Sequence, residues 1–146
     1  METGMAEQLS GGCLCGGVRF TAAPKTLEMS VCHCSLCGRW TGGVFMAVDC
    51  GENVQLEENG TLGVYASSDY GERVFCRKCG SSLFWRMQDG SQAYVAARAF
   101  DDPSVFSLTD EIFVDDKPDN YAFANRTRKM TGAEVFALHA PEDIRR

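Results

Sequence analysis

A chain of 146 residues with 45% hydrophobic and 23% charged residues has the size and composition of one globular domain. Its net charge of −6 and pI near 4.9 disfavour nucleic acid and anionic membranes as partners, because both recruit basic faces. No apolar run approaches the ~18–20 residues of a membrane span, and Met1 to Ser10 lacks the basic-then-apolar pattern of a secretory leader. The expectation is a cytoplasmic protein whose eight cysteines stay reduced and hold metal rather than forming disulfides.

Residues 1–10 read as a disordered leader and residues 11–146 as a single zinc-binding β domain. Gly11-Gly12 opens the ordered part, and Cys13-Leu14-Cys15 sits on a glycine-rich knuckle closed by Gly16-Gly17. Val18 to Thr21 alternates apolar and polar residues as a strand does, and Leu27 to Cys32 alternates again. Ser35 is placed to cap a single helical turn through Leu36 and Cys37 that Gly38 would stop. Val44 to Val48 is a continuous apolar run suited to a buried strand. Val54 to Glu57 and Leu62 to Tyr65 are two strands separated by an Asn59-Gly60 hairpin signal. Arg73 to Cys76 and Leu83 to Met87 flank the last thiol pair, and Asp89-Gly90 turns the chain into Tyr94 to Ala97. A loop from Asp101 to Thr109, around Pro103, follows, then a last strand from Glu111 to Val114 and a short helix from Ala133 to Leu138, ended by Pro141. Many short strands with glycine turns and no long 3.6-residue period predict an all-β domain.

The chemistry lies in the thiol spacing. Cys13 and Cys15 form C-x-C; Cys32, Cys34 and Cys37 form C-x-C-x-x-C; Cys76 and Cys79 form C-x-x-C. Such short loops return thiolates toward a common centre, as a tetrahedral ion with Zn–S bonds of ~2.3 Å requires. Seven clustered cysteines fill one four-ligand site and leave three. Spacing alone leaves the sharing open, but it favours the local trio wrapping one ion while the two outlying pairs combine across the domain. Four thiolates make the usual closed structural site; three with an open position make the usual catalytic one.

The motifs Gly12-Cys13-Leu14-Cys15-Gly16, Cys32-His33-Cys34-Ser35-Leu36-Cys37-Gly38 and Phe75-Cys76-Arg77-Lys78-Cys79-Gly80 resemble those of the glutathione-dependent formaldehyde-activating enzyme family, which includes centromere protein V. The resemblance runs from about Gly11 to Phe113. It implies a β-tent fold with two zinc ions: a structural one on Cys13, Cys15, Cys76 and Cys79, and a catalytic one on Cys32, Cys34 and Cys37. It also implies a carbon–sulfur lyase that forms or cleaves S-hydroxymethylglutathione, with glutathione and formaldehyde as partners.

Glutathione carries two carboxylates, and Arg39, directly after the central motif, is the candidate to clamp one. His33 lies between two ligands, so its side chain is expected to point away from their ion. It reads better as a hydrogen-bonding neighbour than as a ligand. Cys50 reads as a small buried hydrophobe, Trp85 as core and Trp40 as core or pocket wall. Asp115 to Asp119 reads as a solvated turn, and Tyr121 to Phe123 as a flap over the site. The competing functions are a non-catalytic zinc scaffold that binds partners and a thiol redox or metal-handling protein, with an iron–sulfur centre as the rival to zinc.

Overall fold

The structure, a computed structural model, describes residues 7–57 and 60–139, and for His139 the backbone alone. In chain order its strands are β1 (Leu9–Gly12), β2 (Arg19–Ala22), β3 (Glu28–Cys32), β4 (Phe45–Gly51), β5 (Val54–Leu56) and β6 (Leu62–Tyr65). They continue as β7 (Gly71–Cys76), β8 (Ser82–Met87), β9 (Ala93–Ala96), β10 (Ser107–Ile112) and β11 (Arg128–Met130). Helices α1 (Ser35–Thr41) and α2 (Gly132–His139) and three single 3-10 turns complete the described residues. The expected all-β class holds. The chain forms two compact units, one running up to Leu27 and over Ala47–Phe106, the other over Glu28–Met46 and from Ser107 onward.

In the first unit β1, β2 and β5 make a three-stranded antiparallel sheet in the order β1-β2-β5, and Phe20 stands opposite both Gly11 and Leu56. A second antiparallel ladder runs from β4 through β9, β8 and β7 to β6. Alternation on these strands turns Phe20, Val48, Val74, Phe84 and Val95, joined by Val18 just before β2, into a core that is at most 1% exposed. Phe20 meets Phe84 and Phe100 edge-on, at 6.5 and 5.4 Å between ring centres. Each such side chain contributes about 1.5–3 kcal/mol on burial. The core lies behind two hairpins, β1–β2 and β7–β8, whose connecting turns carry Cys13 with Cys15 and Cys79 with its strand-end neighbour Cys76. The strands flanking Asn59-Gly60 do not pair with each other: β5 pairs with β2 and β6 with β7. The local turn signal loses to longer-range ladders, and Asn59 itself lies outside the described residues. β1 begins at Leu9, inside the stretch expected as leader, of which residues 1–6 lie outside the described residues.

In the second unit β10 lies parallel to both β3 and β11, with Glu111 opposite Val31 and Lys129, and Ile112 opposite Cys32 and Met130. β10 is therefore not the last strand, and the loop expected through Thr109 ends at a single 3-10 turn, Pro103–Val105, in the first unit. Phe113 follows β10 in the left-handed region at φ 57°, where a non-glycine residue is uncommon. Its ring meets Phe136 of α2 edge-on at 5.7 Å. The helix expected to end at Gly38 instead runs on to Thr41. Its N-cap is Cys34 rather than Ser35, because the Cys34 sulfur accepts from Cys37 N–H. Gly42, at φ 79°, supplies the left-handed cap that ends it. The helix expected at Ala133–Leu138 is α2; Pro141 lies outside the described residues.

Candidate metal centres and pocket

In the first unit the two hairpin turns bring Cys13, Cys15, Cys76 and Cys79 together, with all four sulfurs within 4.8 Å of one another. The two turns have a common construction. Cys13 C=O accepts from Gly16 N–H at 3.2 Å and Cys76 C=O from Gly80 N–H at 2.8 Å. Gly16 and Gly80 take φ of 81° and 82°, a conformation only glycine adopts readily. Backbone N–H groups point at the sulfurs: Val18 at Cys13 (3.2 Å), Gly17 at Cys15 (3.4 Å) and Cys79 at Cys76 (3.5 Å). Ser81 joins the turns, its hydroxyl lying 3.2 Å from Cys79 Sγ and accepting from Leu14 N–H at 2.9 Å.

These contacts split the thiols. Hydrogen bonds from the Ser81 side chain and backbone lower Cys79 to about 5, and Cys79 N–H leads the lowering of Cys76. Gly17 N–H lowers Cys15, but burial and the neighbouring thiols outweigh it and raise the group to about 11. Four sulfurs this close cannot all ionise without a cation among them. The donor set fits a thiolate-preferring metal such as zinc.

In the second unit β3 ends on Cys32, and α1 starts from the Cys34 cap and buries Cys37 on its first turn. The sulfurs of Cys32, Cys34 and Cys37 also lie within 4.8 Å of one another, and no fourth His, Cys, Asp or Glu among the described residues joins them. Contacts with the Cys34 and Cys37 sulfurs, together with burial, raise Cys32 far above the ordinary thiol range. Here again a bound cation is what would let the trio ionise. Cys34 reaches the wall of a pocket of about 780 Å³, with Arg39, Asp116, Tyr121 and Phe123 among its other lining residues. Arg39 is exposed on that wall and forms no ion pair among the described residues.

His33 belongs to neither cluster. Its side chain is fully buried and its Nε2 lies 2.8 Å from Glu111 Oε1, with the Glu111 side chain 2% exposed. Its Nδ1 lies 2.7 Å from Tyr121 Oη, and Thr127 Oγ1 donates to the other Glu111 oxygen at 2.6 Å. Burial raises Glu111, but hydrogen bonds from Thr127 and His33 and the charge of Lys129 outweigh it and leave the carboxyl below its ordinary value.

Cys50 is fully buried on β4, outside both clusters, and burial raises its thiol to about 12. Trp85 packs half-buried between Tyr70 and Tyr94 in the first unit, and Trp40 against Phe45 in the second, neither on the pocket wall. The Asp115 to Asp119 turn does more than meet solvent: Asp116 accepts from Ser35 N–H at 3.0 Å and Asp115 from Gly132 N–H at 2.9 Å, which fastens the starts of α1 and α2. Ser81, Glu111 and Thr127 carry no sequence signal of their own. Ser81 is visible only as the hydroxyl following Cys-Gly, and the other two only through strand register.

Residues 8–116 match the glutathione-dependent formaldehyde-activating enzyme family. An uncharacterized lyase of Schizosaccharomyces pombe is 36% identical over 130 residues, covering 88% of this chain and 95% of that protein. A Halomonas elongata protein named for glutathione-dependent formaldehyde activation is 33% identical over 85 residues, 52% of this chain and 54% of its own length. A crystal structure of a Rhodobacter sphaeroides protein shares the fold, with a TM-score of 0.56 at 20% identity over 64% of this chain and 88% of that one. Among the described residues no helix is long and apolar enough to cross a membrane. With its three thiol motifs and the match over most of its length, the chain belongs to the glutathione-dependent formaldehyde-activating enzyme family.

Proposed function

We propose that the protein is a carbon–sulfur lyase that adds a small-molecule thiol, glutathione in the simplest case, to formaldehyde or a related small aldehyde and cleaves the same adduct. In the forward direction a sulfur–carbon bond forms, the carbonyl π bond breaks and the thiol proton ends on the new hydroxyl. The observation that carries this reading is a cluster of three sulfurs rather than four, with Cys34 on a pocket wall, in a chain of this family.

In this reading Cys13, Cys15, Cys76 and Cys79 hold a structural zinc, and Cys32, Cys34 and Cys37 hold a catalytic one. When bound to the trio with a fourth position open, the second zinc supplies Lewis-acid chemistry that lowers a thiol pKa or polarises an aldehyde oxygen. The chain's own groups supply the rest. Arg39 meets a carboxylate of the thiol substrate, and the pocket volume lies within the ~300–1,000 Å³ range of small-molecule sites. Thiols and formaldehyde combine unaided, so the gain comes mainly from holding both in reactive contact. A cytoplasmic setting keeps the seven ligand thiols reduced.

The test is exchange spectroscopy on glutathione and formaldehyde at equilibrium, with zinc content measured on the same samples. Protein holding two zincs should speed interconversion of thiol and adduct, and Cys34→Ser should lose that acceleration while remaining folded. A doubly loaded protein that leaves the exchange rate unchanged would overturn the reading and leave a zinc scaffold.

A further inference from the structure

The pocket beside the trio carries two opposite charges that do not cancel each other. Its lining includes one guanidinium, Arg39, and one carboxylate, Asp116, and neither forms an ion pair among the described residues. Asp116 Oδ2 accepts from Ser35 N–H at 3.0 Å, whereas its other side-chain oxygen has no partner among the described residues. Ser35 and Arg39 both line the pocket and are four positions apart on α1, so they share one face of the helix, about 6 Å apart along its axis. The Ser35 bond holds the carboxylate at the start of that face, and the guanidinium stems from the next turn. The anchoring role of Asp116 accounts for one of its oxygens and would be served as well by the neutral oxygen of an asparagine. The negative charge is left over.

Two unpaired charges of opposite sign on one cavity select between ligands. A ligand that is only an anion meets Arg39 and is repelled by Asp116; a ligand that is only a cation meets the reverse. A ligand with an ammonium beside a carboxylate, the head group of an α-amino acid, satisfies both. We infer that Asp116 recognises the ammonium of an amino-acid head on the thiol substrate, while Arg39 meets the carboxylate of that same head. The inference rests on the thiol–aldehyde reading above and adds to it the substrate class. The pocket takes thiols that carry an amino-acid zwitterion, as glutathione does at its glutamyl end, in preference to thiols that are anions alone.

The experiment measures, by titration calorimetry, the affinities of S-methylglutathione and of its deamino analogue, in which hydrogen replaces the glutamyl ammonium. Both are titrated into the zinc-loaded protein and into Asp116→Asn, which removes the charge and keeps an oxygen for Ser35 N–H. The intact protein should prefer S-methylglutathione by about two- to fivefold, the scale of an exposed ion pair. Asp116→Asn should bind the two ligands equally. Equal affinities in the intact protein, or a preference that survives Asp116→Asn, would overturn the inference and leave the lyase reading standing. Failure of the intact protein to bind either ligand would overturn the inference and the glutathione reading together. Should Asp116→Asn not fold, the side-chain carboxyl carbon resonance of Asp116 in the intact protein decides. A shift with S-methylglutathione and none with the deamino analogue supports the inference; the same response to both ligands overturns it.

Discussion

The two cysteine clusters share one ligand chemistry and differ in almost everything that surrounds it. The four-sulfur cluster is built from two hairpin tips, with five contacts from backbone N–H groups and the Ser81 hydroxyl bracing its turns and sulfurs. The three-sulfur cluster sits where β3 hands over to α1, with two of its cysteines buried and the third on a pocket wall. The first cluster offers four ligands and so leaves a tetrahedral ion no place for a substrate. The second offers three and stands beside a cavity that holds a cation, an anion and two aromatic rings. In the proposed reading, coordination number and surroundings, rather than ligand type, separate a brace from a reactive centre.

The largest expected effect tests the brace. Cys79→Ser should abolish the cooperative melt, because structural zinc sites of this kind supply about 10–16 kcal/mol, more than most domains hold in total. Circular dichroism and zinc content on the purified variant check it, and a variant that melts within a few degrees of the parent would erase the distinction between clusters. Cys34→Ser should do the opposite, keeping the melt within a few degrees while losing one zinc and the exchange acceleration.

A smaller effect sits in the buried network behind the pocket. Glu111→Ala leaves His33 and Thr127 without their acceptor and should cost about 1–3 kcal/mol in urea unfolding. The pH dependence has a definite sign. Because the folded carboxyl is held below its ordinary value, its contribution is complete above the unfolded value of about 4.3 and is lost as pH falls through the folded one. Glu111→Gln should therefore flatten the acid limb of stability below about pH 4.5 relative to the parent, with little difference in slope near pH 7. An unchanged acid limb would show the carboxyl to be unshifted.

Arg39→Ala should weaken glutathione binding by about two- to fivefold without altering the melt, the scale of an exposed ion pair. Titration calorimetry reads it, and an unchanged affinity would remove Arg39 from the site. The smallest effect is expected at Cys50: Cys50→Ala deletes a buried sulfur and should leave zinc content at the parental value.

The cluster partition was legible in the sequence as a preference, because short-range spacing favours the local trio returning to one point and leaves the two outlying pairs to combine. The two C-x-C and C-x-x-C turns announce themselves through Gly16 and Gly80, and the structure joins the four outlying sulfurs as the spacing favoured. The same local signals misled elsewhere. Gly38 resembles a helix stop, yet the helix continues because Gly42 supplies the left-handed cap. Asn59-Gly60 resembles a hairpin, yet its flanking strands find partners elsewhere. Glu111 reads from the sequence only as the first residue of a strand running to Val114. Its pairing with His33 spans 78 positions and depends on β10 lying parallel to β3, which no local pattern encodes. Asp116 reads as solvated for the same reason, since its partner Ser35 is 81 positions away.

The separations within the clusters also set an order of assembly. Cys15 and Cys76 are 61 positions apart, so closing that loop costs an unstructured chain about 3–4 kcal/mol from its length alone. Cys32, Cys34 and Cys37 need almost no closure. On a growing chain the trio is complete once Cys37 has been made, whereas the first knuckle waits until Cys79 has followed it. The local trio can therefore capture an ion from an unfolded chain, weakly and early. The long-range cluster could take an ion only as the first unit folds, and an ion held there would make folding of the unit hard to reverse.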